Sequence, residues 1–336
     1  MMLFSDIRVL YRVAAGPSVG FGHLVRCRSL ARAVGEHPLV SIRGSEATRR
    51  IAASSGWTVI NASAVEALRA ICPDVVVVDD RSARHAALWI RAARRAGIPV
   101  AAIHDLGLGY VESDLGIDGS VLPRRGMCGR VGDLTGAAFT ILDPAFAVPR
   151  PAPVSAPGSP ARVLIALGGG AHVRRLATAF ADAIAARVPD VSIRAASGFT
   201  PGALPAPGRV RWVRAKDGLA AELAAAAVVV CAGGVTLYEA CALGRPAVAV
   251  ALTNAQQLTI DAIARRGAAV NARGADSAAP RVAAAVERLL RRQAERESLA
   301  VEGRRLVDGR GAFRVADALR MLAFGRTERL GVGHAA

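Results

Sequence analysis

Four groups of residues combine types and spacing that fit chemistry. The run Gly233-Gly234, followed by Thr236 and Glu239, places a hydroxyl and a carboxylate three residues apart where a strand gives way to a helix. That spacing fits a capping box, with Thr236 at the helix start and Glu239 reaching back. It equally fits backbone amides and Thr236 around a diphosphate while Glu239 accepts from a ribose diol. Gln256 and Gln257, beside Asn254, open the next helix. A second group is glycine placed directly after a strand: Gly20 and Gly22 in GPSVGFGH, and Gly168-Gly169-Gly170. Glycine there lets N–H groups approach an anion, and the following helix adds its dipole. Neither loop continues into G-K-[ST], and the first lacks the acidic partner of a dinucleotide fingerprint. Asp79-Asp80 and His104-Asp105 end strands, where they either polarise a substrate group or start a turn. Without further acidic ligands nearby, no metal site is expected. His23 stands where the first glycine loop becomes a helix; a lone histidine there is more often a cap or a surface residue. His85 and His172 read as surface residues of helix starts.

The elements that must position these residues follow from the hydrophobic pattern. Short Val/Ile/Ala runs alternate with longer helical stretches, the pattern of parallel sheets built from β-α-β units. Residues 8–16, 38–44, 74–80 and 98–105 read as strands of a first half. Residues 162–170, 191–198, 209–215, 227–234 and 247–252 read as strands of a second half, closed by a helix over 311–322. The Pro-, Ala- and Ser-rich stretch around residues 143–161 cannot pair as a central strand and reads as a linker. The expected organisation is a first α/β domain over 1–145, a linker over 146–160, a second α/β domain over 161–325 and a tail over 326–336. Ligands of such doubly wound sheets sit beyond the carboxyl ends of the strands, so a central cleft faced by both domains is the expected site.

Composition narrows the classes. With 336 residues, 52% of them apolar, the chain can bury a substantial core. Asp6, Arg8 and Arg12 interrupt what would be the apolar core of a secretory signal, so the chain reads as cytoplasmic. The longest apolar stretch, residues 223–238, is too short to span a membrane and reads as a helix turning into a strand. Cys27, Cys72, Cys128, Cys231 and Cys241 form no C-x-x-C pair and read as small buried hydrophobes. The formal charge of +16 comes from arginines spread along helices, with few aromatics to stack on bases. Sequence-specific nucleic-acid binding is therefore not expected. A peripheral contact with anionic lipid at the inner face of the plasma membrane fits the basic surface about as well.

Taken together, four motifs resemble a known family: G-x-G-H-x-x-R-C-x-x-L-A (Gly20 to Ala31), G-G-V-T-x-x-E-A-x-x-L-G-x-P (Gly233 to Pro246), N-A-Q-Q (Asn254 to Gln257) and D-G-R-G-A-F-R-V-A (Asp308 to Ala316). They resemble the UDP-sugar hydrolases of pseudaminic acid biosynthesis and the related glycosyltransferases of spore-coat polysaccharide synthesis. More distantly the chain is similar to the peptidoglycan transferase that adds N-acetylglucosamine to a lipid-linked precursor. The resemblance implies a GT-B fold of two Rossmann-like domains, UDP held mainly by the second and the sugar facing the first. It makes His23 the catalytic histidine, a general base toward water or a sugar hydroxyl. Gly20 and Gly22 become the loop that admits the sugar, and Arg26 a supporting residue.

Asp79, Arg81, His104 and Asp105 fall on the same sugar side. Gly168, Gly169, Gly170, Gly233, Gly234, Thr236, Glu239, Asn254, Gln256 and Gln257 fall on the nucleotide side. The chain departs from the family where Asp79-Asp80-Arg81 replaces Asp-His-Tyr, where Ala255 precedes Gln256 in place of Asn, and where His104-Asp105-Leu106 stands for a longer acidic motif. The expected activity is cleavage of the anomeric C–O bond of a UDP-activated amino or deoxy sugar with water as acceptor. The alternatives are transfer to a sugar or lipid-linked hydroxyl, or nucleotide-sugar binding without turnover. No cofactor is expected, and the chain is expected to be a monomer or weak dimer.

Overall fold

The computed structural model describes residues 7–16, 19–106, 110–122, 132–148, 160–168, 173–198, 204, 209–214, 218–275 and 277–325. The chain forms two compact units, one of Met1–Pro144 with Arg310–Ala336, the other of Ala145–Gly309.

In the first unit the order is β1 (Val9–Ala14), α1 (Gly22–Val34), β2 (Leu39–Arg43), α2 (Glu46–Ser54), β3 (Thr58–Val59), α3 (Ala64–Ile71), β4 (Val75–Asp79), α4 (Ala83–Arg95), β5 (Val100–Ile103), β6 (Leu115–Asp118) and β7 (Leu134–Thr135). All strand pairings are parallel, in the spatial order β3-β2-β1-β4-β5-β6-β7. The run Val75–Val78 shows why β4 lies centrally: its side chains are buried on both faces, as crossover helices require. Val75 and Val77 join the core under α1, whereas Val76 and Val78 join the core with Trp89 and Ile90 of α4. The chain runs outward from β1 to β3 and returns beside β1 with β4. Strand order thus reverses between β1 and β4, the switch point where doubly wound sheets bind ligands.

The second unit repeats the plan with β8 (Arg162–Ala166), α5 (Val173–Arg187), β9 (Ser192–Ala196), β10 (Val210–Val213), α6 (Ala220–Ala224), β11 (Val228–Ala232), α7 (Val235–Ala242), β12 (Ala247–Ala251), α8 (Asn254–Arg265), β13 (Val270–Gly274), α9 (Ala278–Arg291) and α10 (Gln293–Leu306). Its parallel sheet has the order β10-β9-β8-β11-β12-β13, so its switch point lies between β8 and β11. Phe180 and Ile184 of α5 pack with Val282, Val286 and Leu289 of α9 over one face.

The last helix, α11 (Gly311–Ala323), corrects the expected boundary at residue 325. It belongs to the first unit. Ala312, Val315, Ala316, Leu319 and Leu322 are buried in the core under α1, and Arg320 Nη2 donates to Val34 O at 2.9 Å, satisfying a terminal carbonyl of α1. Burial of each large apolar side chain contributes about 1.5–3 kcal/mol, which holds the chain's end on the first sheet. Most of the expected linker, residues 149–159, lies outside the described residues; Pro144–Phe146 forms a 3-10 turn.

The apolar stretch over 223–238 divides into the end of α6, β11 and the start of α7, and no helix among the described residues is long and apolar enough to cross a membrane. Cys27, Cys231 and Cys241 are buried as expected, whereas Cys72 is exposed at the end of α3; Cys128 lies outside the described residues.

Candidate functional site

At the switch point of the first sheet, beyond the end of β1, Gly16 and Gly20 pair in an isolated antiparallel bridge. Gly20 has φ +89°, which a side chain would strain. The helix α1 then begins at Gly22, and a side chain added there would meet nothing within 4 Å. His23 and Arg26, three residues apart, share the helix face turned to β4. Asp79 ends β4 and meets both.

His23 is buried, and its Nδ1 lies 2.7 Å from Asp79 Oδ1. An ionised carboxylate only accepts, so Nδ1 carries the proton that bonds it, and in the neutral ring the lone pair is then on Nε2. Arg26 forks onto the same carboxylate, Nε to Oδ2 at 2.6 Å and Nη2 to Oδ1 at 2.6 Å, and Cys27 Sγ approaches Oδ2 at 3.5 Å. Burial alone would raise the Asp79 pKa, but the charge of Arg26 and the hydrogen bonds from Arg26 and His23 outweigh it and hold the group well below the usual carboxylate range. Arg26 continues to Asp105, bonding Oδ1 through Nη1 and Oδ2 through Nη2, and Arg81 Nη2 reaches Asp105 Oδ2 at 3.4 Å. Burial raises the Asp105 pKa less than Arg26 lowers it, so this group too stays ionised. A chain of ion pairs thus runs from the buried Asp79 to Arg81, which is half exposed.

This geometry reassigns Asp79. Its acceptor positions are filled by His23, Arg26 and Cys27, so it orients His23 and leaves no lone pair for a sugar. The adjacent Asp80 faces the other side of the sheet, as strand alternation dictates. There it takes a bidentate bond from Arg43, at 2.8 and 2.6 Å, and caps the turn into α4 through Ser82 N at 2.9 Å. The Asp79-Asp80 pair therefore does not converge on one point.

His104, one residue beyond β5, is 3% exposed and stacks on Tyr110 with ring centroids 5.3 Å apart; its Nε2 has no partner among the described residues. Burial lowers its pKa, keeping the ring neutral. His85 is partly buried and bonds Ser82 Oγ at 2.8 Å; His172 lies outside the described residues.

In the second unit Gly168 follows β8 and Gly233-Gly234 follows β11, so both stretches flank the switch point; Gly169 and Gly170 lie outside the described residues. A Cβ at Gly233 would come within 2.7 Å of Gln256 O and 2.8 Å of Ile260, so glycine here lets α8 pack against the turn. The capping-box reading of Thr236 and Glu239 does not hold. Gly234 is the N-cap, no side chain caps α7, and no acidic residue occupies its first turn. Thr236 is instead the second helical residue, and Glu239, the fifth, is buried. Gln256 Oε1 accepts from Leu252 N at 2.8 Å and Gln257 Nε2 donates to Asp261 at 2.8 Å, so both amides brace the start of α8. Asn254 is exposed at the first position of α8.

No family model and no curated protein matches this sequence. Solved structures do. MurG of Acinetobacter baumannii superposes with a TM-score of 0.61 at 15% identity, over 93% of this chain and 99% of that one. The glycosyltransferase VinC, in complex with dTDP, gives 0.63 at 19% identity, over 95% and 100%. The spinosyn forosaminyltransferase SpnP gives 0.64 at 18% identity, over 95% and 100%. What the chain shares with them is the GT-B fold, two Rossmann-like units each built on a parallel sheet.

Proposed function

We propose that this chain is a GT-B glycosyltransferase that moves a sugar from a nucleoside-diphosphate donor, UDP or TDP, to a hydroxyl acceptor. The observation that carries the reading is the His23–Asp79 pair at the switch point of the first sheet, which leaves Nε2 as a proton acceptor. In this reading Nε2 takes the acceptor's hydroxyl proton as its oxygen attacks the anomeric carbon. The bond from that carbon to the diphosphate oxygen breaks, and the nucleoside diphosphate leaves with the electron pair. A single displacement of this kind inverts the anomeric centre. The uncapped start of α7 and the amides of Gly233-Gly234 stabilise the leaving diphosphate, because an N-terminus free of carboxylates favours added negative charge. Similarity to named transferases, one of them in complex with dTDP, supports a hydroxyl acceptor over the water of the hydrolase resemblance.

Titration with UDP, TDP and GDP tests the donor class. Binding of UDP or TDP is expected, and a protein that binds none of the three would remove the reading. Glu239→Ala is expected to weaken that binding about tenfold, the loss of a charge-assisted bond to the ribose. Unchanged affinity in a folded variant would make Glu239 a structural residue.

A further inference from the structure

Arg174, the second residue of α5, carries a guanidinium whose Nε and Nη2 are shielded from solvent and have no hydrogen-bond partner among the described residues. Other arginines with a shielded, unpartnered Nε differ in having company. Arg12 bonds Ser41 through Nη1 at 3.1 Å, Arg194 bonds Glu222 through Nη1 at 2.7 Å, and Arg245 has a further interaction. For Arg174 no side-chain bond or ion pair occurs among the described residues. An arginine keeps its charge in a protein, so shielding it without an acceptor is costly unless an anion completes it. The helix that carries it follows β8, the strand at the switch point of the second sheet, and has no acidic residue in its first turn. Arg174 thus occupies in the second unit the place that the His23 helix occupies in the first.

We propose that Arg174 is a binding residue for the donor's diphosphate, its unpartnered N–H groups bonding phosphate oxygens that no protein carboxylate replaces. This rests on the nucleotide-sugar reading above and adds a residue to it. Arginine suits the role because its planar fork matches two phosphate oxygens at once.

The test compares wild type, Arg174→Met and Arg174→Lys by titration with UDP, TDP and inorganic pyrophosphate, alongside thermal melting without ligand. Methionine keeps much of the side-chain volume and removes the unpaired charge. The expected result is a ten- to hundredfold weaker affinity of Arg174→Met for UDP or TDP, partial recovery in Arg174→Lys, and a ligand-free melting temperature equal to or above that of wild type. Unchanged nucleotide affinity in Arg174→Met would overturn the proposal. So would a lowered melting temperature together with lost binding, which would make Arg174 a structural residue. If wild type binds pyrophosphate but neither nucleotide, and Arg174→Met loses the pyrophosphate, the anion site stands and the nucleotide reading falls. If wild type binds none of the three ligands, both fall.

Discussion

Asp79→Asn is expected to destabilise the protein by about 3–5 kcal/mol, the range for breaking a buried ion pair from one side. The substitution keeps the shape but removes the charge that Arg26 and His23 share, and its amide N–H groups would face their N–H donors. Arg26 is 13% exposed, so water cannot replace the lost partner. Chemical denaturation of the two proteins measures the difference; a change below about 0.5 kcal/mol, the size typical of surface substitutions, would show that the pair is not holding the first unit together.

The same carboxylates set an acid limit. Asp79, Asp80 and Asp105 all titrate below their ordinary range in the fold, so the unfolded chain takes up protons first as pH falls. Their contribution is complete above about pH 4 and is lost progressively below it. Wild type should lose stability from about pH 4 downward, and Asp79→Asn less steeply. Equal slopes would contradict the assignment.

The second large effect concerns turnover. His23→Asn is expected to lower it by about 10²–10⁴, the range for losing a general base, with nucleoside-diphosphate affinity nearly unchanged. In the proposed reading the nucleotide is bound by residues of the second unit, so that asymmetry is expected. Loss of nucleotide binding together with turnover would mean that His23 contacts phosphate or holds the fold. Full turnover would remove it from the mechanism.

Much of this architecture is legible in the sequence because its central strands are dense in Val and Ala and its glycines follow them directly. β3 and β7 escape detection because two residues carry no period. β6 and β13 escape because LGID and VNARG mix Gly, Asp, Asn and Arg into the run. The helix over 311–322 is readable as a helix, but its place on the first sheet depends on contacts such as Arg320 to Val34, which no local pattern encodes. The resemblance marks His23 and Arg26, yet their convergence on Asp79 spans more than fifty positions. It also depends on which of two adjacent aspartates turns toward α1. Arg174 leaves no signal because Arg174-Arg175 at a helix start looks like a solvated basic pair.

The most direct test of a histidine-based sugar transferase is the rate of nucleoside-diphosphate release from a panel of UDP- and TDP-sugars, with and without sugar or lipid-linked hydroxyl acceptors. Release is expected to require an acceptor, to yield a product inverted at the anomeric carbon, and to fall sharply in His23→Asn. Equal release in water alone would contradict transfer and return the chain to hydrolysis, and donor binding with no release under any condition would contradict catalysis.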